Sequence, residues 1–151
     1  LGIGWNAKLS EFHAAIALAA LDAWDREPYL QLYDWYAAHL PSSVTAQQRP
    51  RGVYSLMPVR LPVLAQPVLE RMASLGVETR RWYCPPMHRH PLFQPINRKA
   101  RRASRVSLPV TDDLADRLLG LPYHSYMTEA DVAEVCLHLW DAVAAEWTTS
   151  S

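Results

Sequence analysis

The sequence predicts a two-layer α+β domain, with a small, mostly antiparallel sheet of two or three strands covered by helices. Apolar residues recur at helical spacing in several separate stretches of the 151 residues. Only Val53–Leu61 and Val77–Tyr83, with an extended Leu121–Tyr123, read as strands. So few strands cannot close on themselves, and the helices must cover one face. Half of the residues are hydrophobic and a fifth are charged, which lets a chain of this size bury a core and argues against disorder. The expected organisation is one domain over 1–151, with leading helices in 1–40 and the α+β body in 41–151.

The elements follow in order. Ser10 can cap a helix whose inward face is expected to carry Phe12, Ile16, Ala19 and Ala20, continued by Ala23 and Trp24. Pro28 removes a backbone donor, so a break is expected near Glu27. A second helix, Tyr29–Leu40, presents Leu32, Tyr33, Tyr36 and Leu40, and Pro41 stops it. Residues 41–51 are rich in Ser, Gln, Arg and Pro and read as loop. In the strand Val53–Leu61, Pro58 suits an edge or a bulge. Gln66–Leu75 is a short helix with Pro67 in its first turn, Leu69, Met72 and Leu75 inward, and Gly76 just past its end. From Cys84 to Pro109 the chain is loop. Asp112–Leu119 reads as a helix capped by Thr111. Thr128 and Asp131 have capping-box spacing at the head of a last helix, whose inward face is Val132, Val135, Cys136, Leu139 and Val143.

Composition excludes several functions. Lys+Arg and Asp+Glu both number 15, so no global field attracts nucleic acid or membrane. The longest apolar run, Ala14–Leu21, is too short to span a bilayer, and no secretory signal pattern is present. Two cysteines, Cys84 and Cys136, make neither a disulfide framework nor a zinc pattern, and a reduced, cytoplasmic setting is expected. Cys84, His88 and His90 share one loop, but their spacing is not a zinc motif, and no metal is expected. The stretch Arg98–Arg105 holds five positive charges in eight residues. It could meet phosphates, but it lacks interleaved aromatics and reads first as a solvated loop, so nucleic acid is not the expected partner.

Four blocks point further. Gly4-Trp5-Asn6-Ala7-Lys8-Leu9-Ser10-Glu11 with Ala14-Ala15 opens the chain. Leu75-Gly76-Val77-Glu78-Thr79-Arg80 and Tyr83-Cys84-Pro85-Pro86-Met87-His88 follow. Leu121-Pro122 with Met127-Thr128-Glu129-Ala130-Asp131-Val132 closes the series. In this order and spacing they resemble the C-terminal part of the DegT/StrS-type sugar aminotransferases. Each block alone is weak; four in order over nearly the whole chain are fairly specific. The resemblance implies the small domain of a fold-type-I aminotransferase, an enzyme that uses pyridoxal phosphate to move an amino group from glutamate to a keto-sugar nucleotide. It implies a homodimer with active sites at the subunit interface.

By position, the resemblance gives Asn6 a contact with the cofactor phosphate of the neighbouring subunit. It places Lys8 where the family usually has Arg, facing the cofactor or the sugar-nucleotide phosphates. Lysine keeps that charge but loses the bidentate fork. Tyr83 and His88 are placed at the substrate entrance. The only lysines are Lys8 and Lys99; Lys8 sits in the wrong motif for the cofactor-bearing lysine, which in the family lies upstream of the first block. The chain is therefore expected to hold no catalytic residue, to bind no cofactor by itself and to be inactive alone. The expected partner is a second copy or an N-terminal domain, with a freestanding binding or oligomerisation module as the alternative. Asn6 equally reads as a turn cap. Six tryptophans are many for this length: several are expected in the core and some on a surface that a partner covers.

Overall fold

A computed structural model describes residues 10–82, 84–91 and 108–149. Its elements run α1 (Glu11–Asp22), α2 (Glu27–His39), β1 (Thr45–Ala46), β2 (Met57–Arg60), α3 (Ala65–Ser74), a 3-10 turn (Met87–Arg89), α4 (Pro109–Arg117), β3 (Leu118–Leu121) and α5 (Glu129–Thr149). The strands form one antiparallel sheet in the order β1–β2–β3. The predicted α+β architecture, a small antiparallel sheet backed by helices, is the one observed.

Strand alternation divides the sheet. Met57, Val59, Leu119 and Leu121 point into the core, while Pro58 faces Gly120 on the other side. α2, α3 and α5 close over the inward face through Leu32, Val68, Met72, Val132 and Leu139, all fully buried. Burying one such side chain contributes about 1.5–3 kcal/mol, so this layer holds the sheet. Tyr36 is also fully buried. Its hydroxyl donates to the Pro122 carbonyl at 2.5 Å, and its ring stacks on Tyr123 at 6.2 Å. Tyr123 donates in turn to the Tyr29 carbonyl at 2.9 Å. These bonds tie α2 to the chain that leaves β3.

The caps follow the sequence at both ends. Ser10 Oγ accepts from the His13 N–H. Thr128 and Asp131 exchange bonds, Asp131 N–H to Thr128 Oγ1 at 3.3 Å and Thr128 N–H to Asp131 Oδ2 at 2.7 Å. All five expected inward residues of α5 are buried. Gly76, at φ 80°, occupies the left-handed position after α3 that a side chain would resist.

Other expectations are corrected. α1 buries no residue: Phe12 is 83% and Ile16 66% exposed, and Trp24 beyond it is exposed too. Alanine density makes the helix, but none of the described residues covers its face. Pro28 lies inside the first turn of α2, and the break falls upstream at residues 23–26, where Asp25 Oδ1 accepts from the Glu27 N–H. Thr45–Ala46, read as loop, is strand β1. Pro58 lies in the central strand. Leu61 N–H reaches across to Arg117 O, so by alternation the N side of Pro58 faces β1, which ends at Ala46 opposite Val59. Pro58 is thus at a local edge. Leu75 is exposed, with Val68 buried instead. Residues 77–82 pair with β3 through a single bridge, Arg80 with Gly120. Thr111 lies within α4, which starts at Pro109 and ends at Arg117, because Leu118 and Leu119 join β3. None of the five described tryptophans is buried; Trp24, Trp140 and Trp147 are exposed.

Candidate functional site

Of the four site residues expected from sequence, Asn6, Lys8 and Tyr83 lie outside the described residues. His88 lies within them, on the 3-10 turn. Its side chain is 14% exposed, and its Nε2 sits 2.7 Å from Asp112 Oδ1. The same oxygen meets Arg89 Nη2 at 2.6 Å, and Arg89 Nη1 meets Asp116 Oδ1 at 3.1 Å. The hydrogen bond from His88, then the charge of Arg89, holds the Asp112 carboxyl below its ordinary range against some desolvation.

Two more side chains bind the loop to the same helix. Arg81 Nη2 donates to the Ala115 carbonyl, and Cys84 Sγ donates to that carbonyl at 3.2 Å. Asp112, Ala115 and Asp116 are three and four residues apart and share one face of α4. Asp113, one step round the helix, takes Arg60 of β2 at 2.9 Å and Arg117 at 3.0 Å. α4 therefore works as a bracket: one face holds Arg81, Cys84, His88 and Arg89, and the next grips the sheet.

Trp82 fixes the near end of that loop. Its ring packs against Gly120, where an added Cβ would come within 1.8 Å of a ring carbon. Only glycine permits this approach. Trp82 and Gly120 line an open groove of about 500 Å³ at the end of the sheet, together with Glu78, Arg80, Tyr123 and His124. Glu78 and Arg80 pair at 3.0 Å. Beside this groove, Thr79 Oγ1 and Arg81 Nε are buried side-chain atoms without a hydrogen-bond partner.

Both lysines of the sequence, Lys8 and Lys99, fall outside the described residues. Arg80, which lines the groove, hydrogen-bonds to Glu78. Among the described residues no three metal-ligating side chains converge, and no helix is long and apolar enough to cross a membrane. The basic stretch Arg98–Arg105 lies outside the described residues.

Of the residues of this cluster and groove, the sequence singled out His88 and not Asp112, Arg89, Trp82 or Gly120. Asp112 and Asp116 were the available signal, since a spacing of four puts them on one side of a helix.

Known proteins place this arrangement. The chain is 31% identical over 146 residues to protein Rv3402c of Mycobacterium tuberculosis, matching 93% of this chain and 35% of that protein. The crystal structure of DesI in the presence of its TDP-sugar product is 26% identical, with a TM-score of 0.75, over 97% of this chain and 39% of that one. A candidate PLP-dependent aminotransferase from Bacillus cereus is 25% identical, with a TM-score of 0.77, over 92% of this chain and 39% of that one. The chain thus spans about a third of the length of the curated relatives it matches. The model of the DegT/DnrJ/EryC1/StrS aminotransferase family matches residues 1–139, which take in all four sequence blocks and the loop gripped by α4, and the chain belongs to that family.

Proposed function

We propose that this chain serves as the C-terminal small domain, one domain over 1–151, of a cytoplasmic, homodimeric, pyridoxal-phosphate-dependent aminotransferase acting on keto-sugar nucleotides. In this reading it completes an active site whose lysine comes from elsewhere, and it does not transfer amino groups by itself. The observation that carries the reading is the loop at 81–89, held on α4 by Arg81, Cys84, His88 and Arg89. That loop contains the Tyr83-to-His88 block, and a substrate-lining loop needs such a rigid base. Asn6 and Lys8 are assigned to phosphate contacts across the dimer, and Tyr83 and His88 to the substrate entrance. The sugar-nucleotide class is supported by DesI, whose structure was determined with a TDP-sugar product.

The test is direct. The chain is incubated with pyridoxal phosphate and glutamate, reduced with borohydride and analysed by mass spectrometry, with amino transfer assayed in parallel. No stoichiometric adduct and no transfer are expected. A single lysine carrying the cofactor, with turnover, would overturn the claim of inactivity.

A second reading is a freestanding assembly module, and α1 favours it: its apolar side chains have no cover among the described residues. Light scattering of the isolated chain tests this second reading. A stable oligomer lost on Phe12→Glu with Ile16→Glu supports the module; a monodisperse monomer rejects it.

A further inference from the structure

We propose that the groove at the end of the sheet binds a nucleobase with a ring amide, the base of the sugar nucleotide. The inference rests on the proposed function for the substrate and on the groove for the place. Strand register makes the groove. Arg80 and Gly120 exchange both backbone bonds, Arg80 N–H to Gly120 O at 3.0 Å and Gly120 N–H to Arg80 O at 2.7 Å. In an antiparallel ladder the next pair to do so, two residues on, is Glu78 with Pro122. Pro122 has no N–H to give, and its carbonyl accepts from the Tyr36 hydroxyl instead. Pairing stops there, and the two chains part around an open groove of about 500 Å³, a size that holds a small ligand. Glu78 keeps a backbone N–H and a backbone C=O with no hydrogen-bond partner among the described residues. The ladder pattern turns both towards Pro122.

A donor and an acceptor side by side select their complement. A ring amide, an N–H beside a C=O as in uracil, thymine or guanine, meets both at once. Aromatic surface stands next to them, Trp82 from one of the parting chains and Tyr123 from the other, and bases stack on such rings. Charge keeps the phosphates out of this place. Among the described residues lining the groove, Glu78 is the one acid, and Arg80 and His124 are the bases. Glu78 and Arg80 pair at 3.0 Å, so the guanidinium is already answered and the groove suits an uncharged group better than an anion. The same geometry disfavours an extended peptide. An added strand needs a row of free ladder groups, and here the row is one residue long. Arg80 is bonded to Gly120, Val77 N–H is bonded to Met72 O, and Gly76 at φ 80° turns the chain out of α3.

The test uses the full chain and follows two NMR signals, the Glu78 amide and the Trp82 indole N–H, the latter assigned through Trp82→Phe. The probes are uridine, guanosine, adenosine, inorganic pyrophosphate, glucose and a capped valine tripeptide. Uridine or guanosine is expected to shift both signals saturably, and adenosine, which has no ring amide, to bind more weakly. Methylating the ring amide nitrogen of the nucleoside that binds is expected to weaken it roughly tenfold, the loss of one hydrogen bond with its donor partner left unmet. That control leaves the protein untouched. Trp82→Ala is expected to weaken binding roughly tenfold as well, the size of a lost stacking platform, with unchanged circular dichroism showing that the variant is folded. Equal binding of all three nucleosides, binding indifferent to the methyl group, or no nucleoside binding overturns the inference. So do signals that move only with pyrophosphate, only with glucose or only with the tripeptide, which assign the groove to an anion, a free sugar or an added strand. Amino transfer plays no part in these measurements, so a failed base site leaves the proposed function standing, and a failed transfer assay leaves the base site standing.

Discussion

His88 takes its orientation from Asp112, and the same carboxylate holds Arg89. Because these partners depress the Asp112 pKa in the folded chain, its contribution to stability is present above the unfolded value of 3.8 and is lost as pH falls through the lower folded value. Asp112→Asn is therefore expected to lower stability at neutral pH, with wild type and variant converging in strong acid; urea unfolding across pH checks this, and a constant difference would contradict it. Gly120 is the second sensitive residue. Gly120→Ala pushes a methyl into the Trp82 ring and is expected to cost about 1–3 kcal/mol as overpacking, much less in a Trp82→Ala background, by denaturant titration. Burial acts oppositely on Cys136 and Tyr36. It pushes the thiol up from 9.0 to about 11, and it raises the Tyr36 hydroxyl as well. Their stabilisation is complete below the unfolded pKa values and declines as pH rises through 9.0 and beyond. Cys136→Ala is expected to flatten the first part of that alkaline loss. His88 was legible in the sequence as part of a local block. Asp112 was not, because their pairing spans 24 residues, and a local pattern carries no information about which distant helix turn a loop will meet.

At the scale of elements, α5 was legible because its capping residues, its apolar spacing and its burial agree. α1 was legible as a helix and not as a packed one. Capping and alanine content are local properties, whereas burial depends on what lies opposite, and periodicity cannot say that anything does. The contrast is testable. Leu139→Ala, at a fully buried site, is expected to cost about 2–5 kcal/mol. Phe12→Ala on α1 is expected to stay within about 0.5 kcal/mol in the isolated chain, and a large loss there would mean that the helix has a cover. Short strands were the hardest to read. β1 is two residues long and has no pattern to show, and β3 was hidden because Leu118 and Leu119 also continue the helical spacing of α4. Tertiary pairing with β2 decided between the two.

For the molecule as a whole, a sheet backed by three helices makes a stable body, while α1 presents apolar surface that none of the described residues covers. Under the proposed function that surface is the seam with the rest of an aminotransferase; under the second reading it is the seam between freestanding modules. The family was legible because four short blocks kept their order and spacing. The site was legible only in part, since a loop that grips α4 looks, in sequence, like any loop rich in proline and arginine. The most direct test of the account is complementation. The chain is mixed with the lysine-bearing N-terminal segment of a family member, cut just before the Gly4-to-Glu11 block, and glutamate-dependent amination of a keto-sugar nucleotide is measured. The account requires activity in the mixture and none in either piece. Amino transfer by this chain alone, or a mixture that associates through α1 yet stays inactive, would contradict it.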